Sequence, residues 1–525
     1  MKLLIVGAGP GGLAAAINLA GLGAEVTVVE KEPHPGGRMR GLALGEHGEF
    51  HVDTGPSIMQ LPQLLERIFR RSGLRIEEYV TLRRLDVNTR VHFWDGTHLD
   101  TTWDPLRMEA EVERLMPGRG EAYRRWFFTS REKYAIAYGA FMADPADSLA
   151  YYNPLRLLPM ARFKPWQTLY AHLDETFHDD RLSYAFSYPS KYLGLHPTTC
   201  SSVFSIIPYL ELEFGVWHVM GGFRALSRGM VKAAEDLGAT FRMSSSVRRV
   251  LVENRRTVGV ELESGERLFA DAVVVNADLP YAATTLIDQQ WRKGTRLSDT
   301  ALRRAKYSCS TFMLYLGLDT VYRDLPHHLI YLSNAARRTD KDTLEDRYPN
   351  LDDPPFYVAN ANVTDPAGVP QGNSAVYVLV PTPNTQHDHD WKHIEAELTR
   401  KVPGWLAKVG MKDAGKHIRA QVAFTAETWR SDFNVHRGAV FNLSHTWRQL
   451  GPLRPKVRSP YIEGLYWVGG GTHPGSGLLT IMESANIAAN YLSTTMGRGP
   501  LREWPHVPPP GSLPVSEQAL AAPTA

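Results

Sequence analysis

The length, charge and cysteine content of the chain exclude several classes of protein. At 525 residues it exceeds one ordinary domain, so two or three structural units are expected. The net charge of +2 and the absence of a basic block argue against a nucleic-acid partner. Cys200 and Cys309 form no C-x-x-C pair, which argues against a disulfide framework, a dithiol redox centre and a cysteine zinc site.

The first forty residues predict a dinucleotide-binding unit. An apolar strand at residues 3–6 leads into Gly7, Gly9 and Gly12, which have G-x-G-x-x-G spacing. A helix of small residues follows, and then a second apolar strand that ends at Glu30. In such a βαβ unit the helix N-terminus binds a pyrophosphate and the acid binds a ribose. A plain glycine-rich turn would not explain why an acid ends the second strand.

The apolar N-terminus could be taken for a signal peptide, but its glycine spacing has another purpose and no cleavage site follows. No later window of about 18 uninterrupted apolar residues predicts a spanning helix. We therefore expect a cytoplasmic protein, peripheral on the cytoplasmic face of the membrane.

Two loops after the βαβ unit narrow the type of nucleotide site. Gly36-Gly37-Arg38 lies just beyond Glu30, and Asp53-Thr54-Gly55-Pro56 follows a strand-like stretch. A simple NAD-dependent dehydrogenase needs neither loop. Together they resemble the flavoprotein superfamily of amine oxidases, Rab GDP-dissociation inhibitors and carotenoid desaturases. A solvated loop arginine is the simpler alternative for Arg38.

Residues 60–215 predict a helical region. The helix at residues 121–141 is rich in aromatic residues, which suit either a plain core or an apolar substrate cavity. Residues 151–166 combine apolar and interfacial aromatic residues with Arg156, Arg162 and Lys164. This composition suits an anionic membrane surface, although a packed segment with solvated arginines is the simpler alternative.

The second half predicts a return to the nucleotide domain and another excursion. Short strands at residues 239–275 indicate the return, with a strand beginning at Val247. Strands and an amphipathic helix at residues 279–455 predict a mixed sheet over a cavity. The run of four polar residues at 387–390 could suggest a metal site, but a helix cap and a solvated turn explain it better, so no metal is expected.

A glycine-rich turn at residues 469–477 follows an apolar strand and precedes a helix. Such a turn allows close backbone approach and offers N–H donors to a flavin ring. Its Thr472–Gly477 motif, with Glu483-Ser484-Ala485, resembles the bacterial phytoene desaturase family of carotenoid desaturases. Ser476 and residues 478–482 differ from the commoner phytoene desaturase form, so the exact carotenoid stays open.

The resemblance implies an α/β fold: a Rossmann-type FAD-binding domain of the GDI and amine-oxidase kind, a mixed-sheet substrate domain and a helical part that contacts the membrane. The expected units are residues 1–95, 216–285 and 456–497 for FAD, 96–215 for the helical region, 286–455 for the substrate and 498–525 for a disordered tail. The expected FAD-binding residues are Gly7, Gly9, Gly11, Gly12, Glu30, Lys31, Gly37, Arg38, Gly55, Pro56, Ser57, Val247, Gly470, Gly471, Leu478, Leu479 and Thr480.

The resemblance also implies the reaction. An apolar polyene would thread a tunnel, lose a hydride to the flavin and then a proton, and so gain a C=C bond; quinone or oxygen would reoxidise the flavin. No catalytic base is assigned: Asp144 and Asp147 are candidates, but acids at a helix end explain them better. The alternatives are a carotenoid ketolase, oxidase or isomerase of the same family, an amine oxidase, and a prenyl-binding carrier without flavin.

Overall fold

The computed structural model describes residues 1–137, 155, 158–334 and 351–501. Within these ranges, none of the helices combines the length and apolar character needed to cross a bilayer. The candidate acids Asp144 and Asp147 and most of the expected tail lie outside the described residues.

A five-stranded parallel sheet, the nucleotide sheet, forms the first core. Its strands are short and apolar and buried between helices, as expected for a parallel sheet. The helices Pro10–Gly21, Phe223–Asp236 and Leu478–Thr495 pack against it or against one another. In spatial order the strands are Leu465–Trp467, Ala272–Val275, Lys2–Val6, Glu25–Val29 and Thr240–Arg242.

Three smaller sheets flank this core. They are antiparallel and join segments of the nucleotide domain. One has the strands Val247–Glu253, Arg256–Leu262 and Arg267–Phe269, another pairs Gly41–Leu44 with Phe50–Asp53, and the third pairs Leu82–Arg84 with Trp217–Val219.

A seven-stranded mixed sheet, the cavity sheet, forms the second core. One face packs on the helix Trp391–Trp405 and the other faces the helical region, so its central strands are apolar on both sides. In spatial order its strands are Ile418–Phe424, Ser310–Leu318, Ser374–Thr382, Phe356–Ala359, His328–Leu332, Thr89–Phe93 and His98–Thr101.

The helical region packs its aromatic side chains into the core of the cavity sheet. Its helices are Pro105–Leu115, Gly120–Ala137, Leu169–Phe177, Asp180–Ser187 and Ile206–Phe214. The remaining α-helices are Pro62–Arg71, Leu279–Leu286, Gln289–Arg292, Asp299–Arg304, Ala414–His417 and Ala426–Asp432.

The predicted fold class is confirmed, and most predicted elements lie within a few residues of their expected places. The strand His328–Leu332 was missed. The hairpin Thr89–Thr101 joins the cavity sheet through the His328–Leu332 strand, so the expected boundary between residues 95 and 96 runs through its turn. The division of the chain into units otherwise stays a prediction. Asp390 caps the helix Trp391–Trp405 by accepting a hydrogen bond from the His393 N–H at 3.0 Å, as expected.

Candidate active site

A cavity of about 1190 Å³ lies where the nucleotide sheet, the cavity sheet and the helical region meet. Its wall includes Gly9 from the nucleotide domain, Tyr377 from the cavity sheet and Leu210 from the helical region. The cavity therefore joins the predicted nucleotide site to a space lined by side chains from both excursions of the chain.

Steric contacts explain the glycines of the first turn. A Cβ atom on Gly12 would lie 2.0 Å from the carbonyl oxygen of Gly7, so a side chain there would force the helix away from the strand. Gly7 has a φ of +98°, which glycine adopts at little cost. The helix Pro10–Gly21 begins after Gly9, and no described side chain caps it. Its first N–H groups are thus available to a phosphate.

Glu30 lines the cavity at the end of the second strand. Its carboxylate accepts hydrogen bonds from the N–H groups of Ala8 at 2.7 Å and Glu32 at 3.0 Å. A carboxylate offers about four lone-pair positions, so further ones remain for ribose hydroxyls. Glu30 thus both fixes the glycine turn and presents an acceptor to the cavity.

Two opposite charges, Arg38 and Asp278, lie on the same wall. Burial lowers the pKa of Arg38, and the carboxylate of Asp278 opposes that effect. Burial raises the pKa of Asp278 to about 6, although Arg38 and the N–H of His436 favour its charged form. The Asn442 side chain also donates to Asp278, at 2.6 Å. A Cβ atom on Gly55 would lie 2.2 Å from the Arg38 carbonyl oxygen, so the two loops pack backbone to backbone.

Arg454 holds the C-terminal glycine turn. Its buried guanidinium donates to the carbonyl groups of Thr472 at 3.0 Å and Gly470 at 2.6 Å. It also donates to the carbonyls of Leu443 at 3.2 Å and Gln449 at 3.1 Å. Burial lowers its pKa to about 9, so it stays charged at neutral pH. Sequence reasoning missed this residue, since a lone arginine in a proline-containing loop carries no local signal.

The same turn brings a second helix N-terminus to the cavity. The helix Leu478–Thr495 begins after Gly477, and no described side chain caps it. The preceding residue, Ser476, donates its N–H to His445 Nε2 at 3.2 Å. Two helix N-termini with available N–H groups therefore meet one cavity, as an anionic dinucleotide with a hydrogen-bonding ring requires.

Most of the expected FAD-binding residues lie on the cavity wall. These are Gly7, Gly9, Glu30, Lys31, Gly37, Arg38, Gly55, Pro56, Ser57, Val247, Gly470, Leu478, Leu479 and Thr480. Gly11, Gly12 and Gly471 are not among the wall residues, but Gly11 and Gly12 carry the first N–H groups of the helix Pro10–Gly21. A Cβ atom on Gly11 would lie 2.6 Å from Asn276 Oδ1, and one on Gly471 would lie 2.4 Å from Leu279 Cβ, so packing of the turns requires glycine at both positions. Contact of these three glycines with FAD stays a prediction.

The opposite wall is apolar and aromatic. Leu195, Phe204 and Ile207 face the cavity from the helical region, and Tyr357 and Tyr377 face it from the cavity sheet. The aromatic residues of the helix Gly120–Ala137 serve another purpose. Those that are buried in the described part of this helix belong to the core, and Ala137 is its described cavity-lining residue. The core alternative is therefore correct for the buried aromatic residues in the described part of this helix.

Two acids near the cavity have raised pKa values that the sequence does not predict. Burial raises the pKa of Glu211 to about 7, and the Tyr192 hydroxyl, which donates at 3.3 Å, only partly offsets this. Burial raises the pKa of Asp53 to about 6. Asp53 belongs to a loop noted in the sequence, and it caps the helix Phe223–Asp236, because its carboxylate accepts the N–H of Phe223 at 2.9 Å. Glu211 and this capping role of Asp53 were missed, since both follow from the tertiary fold.

The wall fits FAD. Glycine turns, helix N-termini and an acid suited to a ribose occupy one side, and a space lined by aromatic and aliphatic side chains continues from it. Residues 10–493 match the model of the flavin containing amine oxidoreductase family. An all-trans-zeta-carotene desaturase of Myxococcus xanthus is 67% identical over 97% of this chain and 96% of its own. The chain belongs to the carotenoid desaturases of this flavoprotein family.

Other relatives of this carotenoid desaturase agree. A zeta-carotene-forming phytoene desaturase of Myxococcus xanthus is 36% identical over 94% of each chain. An oxidoreductase from Methanosarcina mazei, solved by crystallography, superposes with a TM-score of 0.62 over 93% of this chain and 99% of its own. At 16% identity that likeness shows the fold alone. The cofactor of the carotenoid desaturase is FAD, and the chain is an oxidoreductase.

Proposed function

We propose that the protein introduces C=C bonds into an acyclic carotenoid, with all-trans-ζ-carotene as the first candidate substrate. The observation that carries this proposal is the 67% identity, along 97% of the chain, to a relative named for that desaturation. The apolar wall supports it, because a polyene without polar groups needs a long cavity with few hydrogen-bonding demands.

Bound FAD would supply the oxidant that takes a hydride from an allylic carbon of the substrate. The residues of this chain would bind and orient the reactants. Glu30 would hold the ribose, and the N-termini at Gly9 and Gly477 would meet the pyrophosphate and the flavin ring. The apolar wall would exclude water, and positioning would contribute much of the rate. We assign the expected set to FAD: the cavity-lining members would border the cofactor, the N–H groups of Gly11 and Gly12 would meet the pyrophosphate, and Gly471 would shape the second turn.

The test is turnover by the purified flavoprotein of phytoene, all-trans-ζ-carotene and a hydroxylated acyclic carotenoid, with products separated by chromatography. We expect ζ-carotene to gain double bonds. Isomerised or oxygenated products without new C=C bonds would favour the isomerase, ketolase or oxidase alternatives. Turnover of an amine would favour an amine oxidase, and a protein that binds prenyl chains but no flavin would be a carrier. Each of these results contradicts the proposal.

We propose further that the cavity opens onto a membrane surface. Trp166 is 72% exposed and Trp447 is 59% exposed, and both line the cavity. Leu158, at 68% exposed, and Leu453, at 41%, are two further apolar side chains of these segments. We call these four residues the apolar rim. Exposed tryptophans beside a cavity for an apolar ligand suit an interface where the substrate is dissolved in lipid.

The basic residues near the apolar rim contribute less to attraction by anionic lipid than their number predicts. Arg162 lies 3.7 Å from Glu132, and Lys164 lies 2.8 Å from Glu175. Because these cations are partly paired, we expect apolar insertion to dominate over attraction to anionic lipid. The cytoplasmic face of the membrane is the proposed location, and a lipid-soluble quinone or oxygen is the proposed electron acceptor.

Flotation with vesicles tests the membrane proposal. We expect the wild type to bind neutral and anionic vesicles and the Trp166→Ser/Trp447→Ser variant to lose binding to both. A Phe269→Ser variant is the control, because Phe269 is also exposed, at 58%, but does not line the cavity. Equal binding by the rim variant and the wild type would contradict the proposal. Turnover with a quinone or with oxygen as the added oxidant would identify the acceptor.

A further inference from the structure

A short chain of hydrogen bonds leads from the cavity through the cavity sheet. Ser57, on the cavity wall, has its Oγ 2.6 Å from the hydroxyl oxygen of Tyr357. That hydroxyl lies 2.7 Å from Nδ1 of His328, on the neighbouring strand. Both distances are those of good hydrogen bonds. The chain thus joins a cavity-lining group, which is also one of the residues proposed to border FAD, to a buried imidazole.

The protonation states determine which group donates and which accepts in each hydrogen bond of this chain. Burial raises the pKa of Tyr357 well above its ordinary value, so the phenol is neutral. Burial lowers the pKa of His328 to about 3, so the imidazole is neutral as well. Tyr357 can then donate to Nδ1 of His328, and Ser57 can donate to Tyr357. His328 carries its proton on Nε2, which has no hydrogen-bond partner among the described residues.

A buried cluster of imidazoles continues behind His328. The ring of His327 lies 4.4 Å from that of His328, and the ring of His218 lies 4.7 Å from that of His327. Nε2 of His218 lies 3.2 Å from a carboxylate oxygen of Asp365. Burial would raise the pKa of Asp365, but hydrogen bonds from His218 and from backbone N–H groups lower it overall, so it is ionised. A negative charge therefore lies at the far end of the cluster.

The other buried acids near the cavity are less suited to accept a proton. Asp278 accepts hydrogen bonds from two backbone N–H groups and from Asn442, and it lies near the charge of Arg38. Its position is explained by these structural contacts. Glu211 contacts its polar neighbours at 3.3–3.4 Å and does not itself line the large cavity. Ser57 does line it, and the contacts in its chain, at 2.6 and 2.7 Å, are shorter than those of Glu211.

We propose that Ser57, Tyr357 and His328 form a relay that carries away the proton released when the substrate is desaturated. The inference rests on the proposed function. In that reaction one C–H bond of the carotenoid would break and its electron pair would leave as hydride; bound FAD would supply this two-electron oxidation. The neighbouring C–H bond then breaks, its electron pair becomes the new π bond, and its proton goes to Ser57 Oγ. Ser57 passes its own proton to Tyr357, and Tyr357 passes its own to Nδ1 of His328.

This relay suits the chemistry of the step. A carbocation with a neighbouring C–H bond is a strong acid, so a hydroxyl oxygen is basic enough to take the proton. His328 holds the proton only transiently, because its buried ring disfavours the charge, and the ionised Asp365 only partly compensates this. When the product leaves, the proton would return along the same three groups to water that enters the cavity beside Ser57, which restores the starting direction of the chain.

The test compares Tyr357→Phe with Tyr315→Phe in the holoenzyme. Each substitution removes one buried hydroxyl from the cavity sheet, but the Tyr315 hydroxyl donates to the Thr54 carbonyl at 2.5 Å and lies outside the relay. We expect Tyr357→Phe to lower kcat about 10²-fold at unchanged KM. It should also abolish the solvent deuterium isotope effect on kcat that the wild type and Tyr315→Phe share. Ser57→Ala should behave like Tyr357→Phe, and Ser57→Thr should restore turnover.

A second readout needs no turnover. Nitrogen-15 NMR of histidine-labelled protein, assigned with His328→Asn, should show a hydrogen-bonded Nδ1 on His328 that changes in Tyr357→Phe and not in Tyr315→Phe. If Ser57→Ala and Tyr357→Phe both retain the wild-type kcat and isotope effect, the relay is wrong. If the wild type converts no carotenoid, the proposed function fails, while the NMR comparison still decides whether the hydrogen-bonded chain exists.

Discussion

The two walls of the cavity are built from different parts of the polypeptide. The nucleotide wall uses backbone: glycine turns, two helix N-termini and carbonyl groups held by Arg454. The substrate wall uses side chains, mostly aromatic and aliphatic, from the cavity sheet and the helical region. The contacts of a backbone wall are made by main-chain atoms, whose positions are set by the turns. We therefore expect such a wall to tolerate few substitutions that move the main chain. A side-chain wall can be repacked and can thus be adapted to different polyenes.

This contrast predicts that the largest loss of stability and FAD binding will come from the addition of a single methyl group on the nucleotide side. Gly12→Ala places a Cβ atom 2.0 Å from the Gly7 carbonyl oxygen, so strand and helix must separate. We expect a loss of at least about 3 kcal/mol in stability and purification without flavin. Gly404→Ala is the matched control, since its Cβ would meet open space within a helix.

The control should bind FAD fully and gain up to about 1 kcal/mol from its better helix propensity. Flavin absorbance per protein and thermal unfolding measure both effects. A Gly12→Ala protein that purifies with a full complement of FAD would show that the turn is more adaptable than its contacts indicate, and the contrast between the walls would break.

Arg454→Met tests how far the backbone wall depends on one side chain. The substitution leaves four buried carbonyl groups without their charged donor. We expect a loss of about 2–4 kcal/mol in stability and FAD binding weakened by about 10–100-fold. Titration of the apoprotein with FAD, followed by flavin fluorescence, measures the affinity. The FAD affinity of Arg454→Lys should lie between those of the wild type and Arg454→Met, because one ammonium group cannot reach all four carbonyl groups. Unchanged affinity in Arg454→Met would contradict this assignment.

The nucleotide wall was largely predictable because its chemistry is local. Gly7, Gly9, Gly12 and Glu30 act at fixed spacing within one βαβ unit, and steric rules give each position its reason. The packing of the glycines was less accessible. Gly11 and Gly471 each pack against a distant segment, and such packing is visible only in the folded chain.

The substrate wall was predictable in character and not in detail. The composition of the aromatic stripe predicted at residues 121–141 could not distinguish core from cavity, and the fold assigns its buried members in the described part to the core. The strand His328–Leu332 was missed, and with it the hydrogen bond from His328 to Tyr357. A side chain acquires such a partner from strand pairing across distant segments, for which one sequence gives no signal. Trp447, on the apolar rim, was missed because its position on the cavity wall also depends on the tertiary fold.

The Glu211→Gln variant tests how much folding free energy a buried acid on the substrate side costs when it ionises. Burial raises the pKa of Glu211 from 4.5 to about 7, so between these values the folded state holds a proton that the unfolded state releases. The stability from this group is complete below pH 4.5 and is lost as the pH rises through 7. We expect the wild type to lose on the order of 3 kcal/mol relative to Glu211→Gln across this window.

Thermal unfolding of both proteins at pH 5 and pH 8 gives this difference, and the comparison cancels the similar contributions of Asp53 and Asp278. Parallel pH profiles for the two proteins would mean that Glu211 is ionised in the folded state. A polar, hydrated pocket would then adjoin the apolar wall.

The smallest effect is expected from the removal of one hydroxyl group where the two walls touch. The Tyr377 hydroxyl donates to the Gly55 carbonyl at 3.2 Å and so links the cavity sheet to the nucleotide loop. Tyr377→Phe should cost about 1 kcal/mol in stability and leave the FAD content unchanged. Tyr377→Ala should cost about 3–5 kcal/mol through the space it opens, with altered carotenoid selectivity and FAD still bound. Flavin content and product ratios distinguish the two. If Tyr377→Phe released FAD, the backbone wall would depend on side chains of the substrate wall, and the two could not be treated as separate constructions.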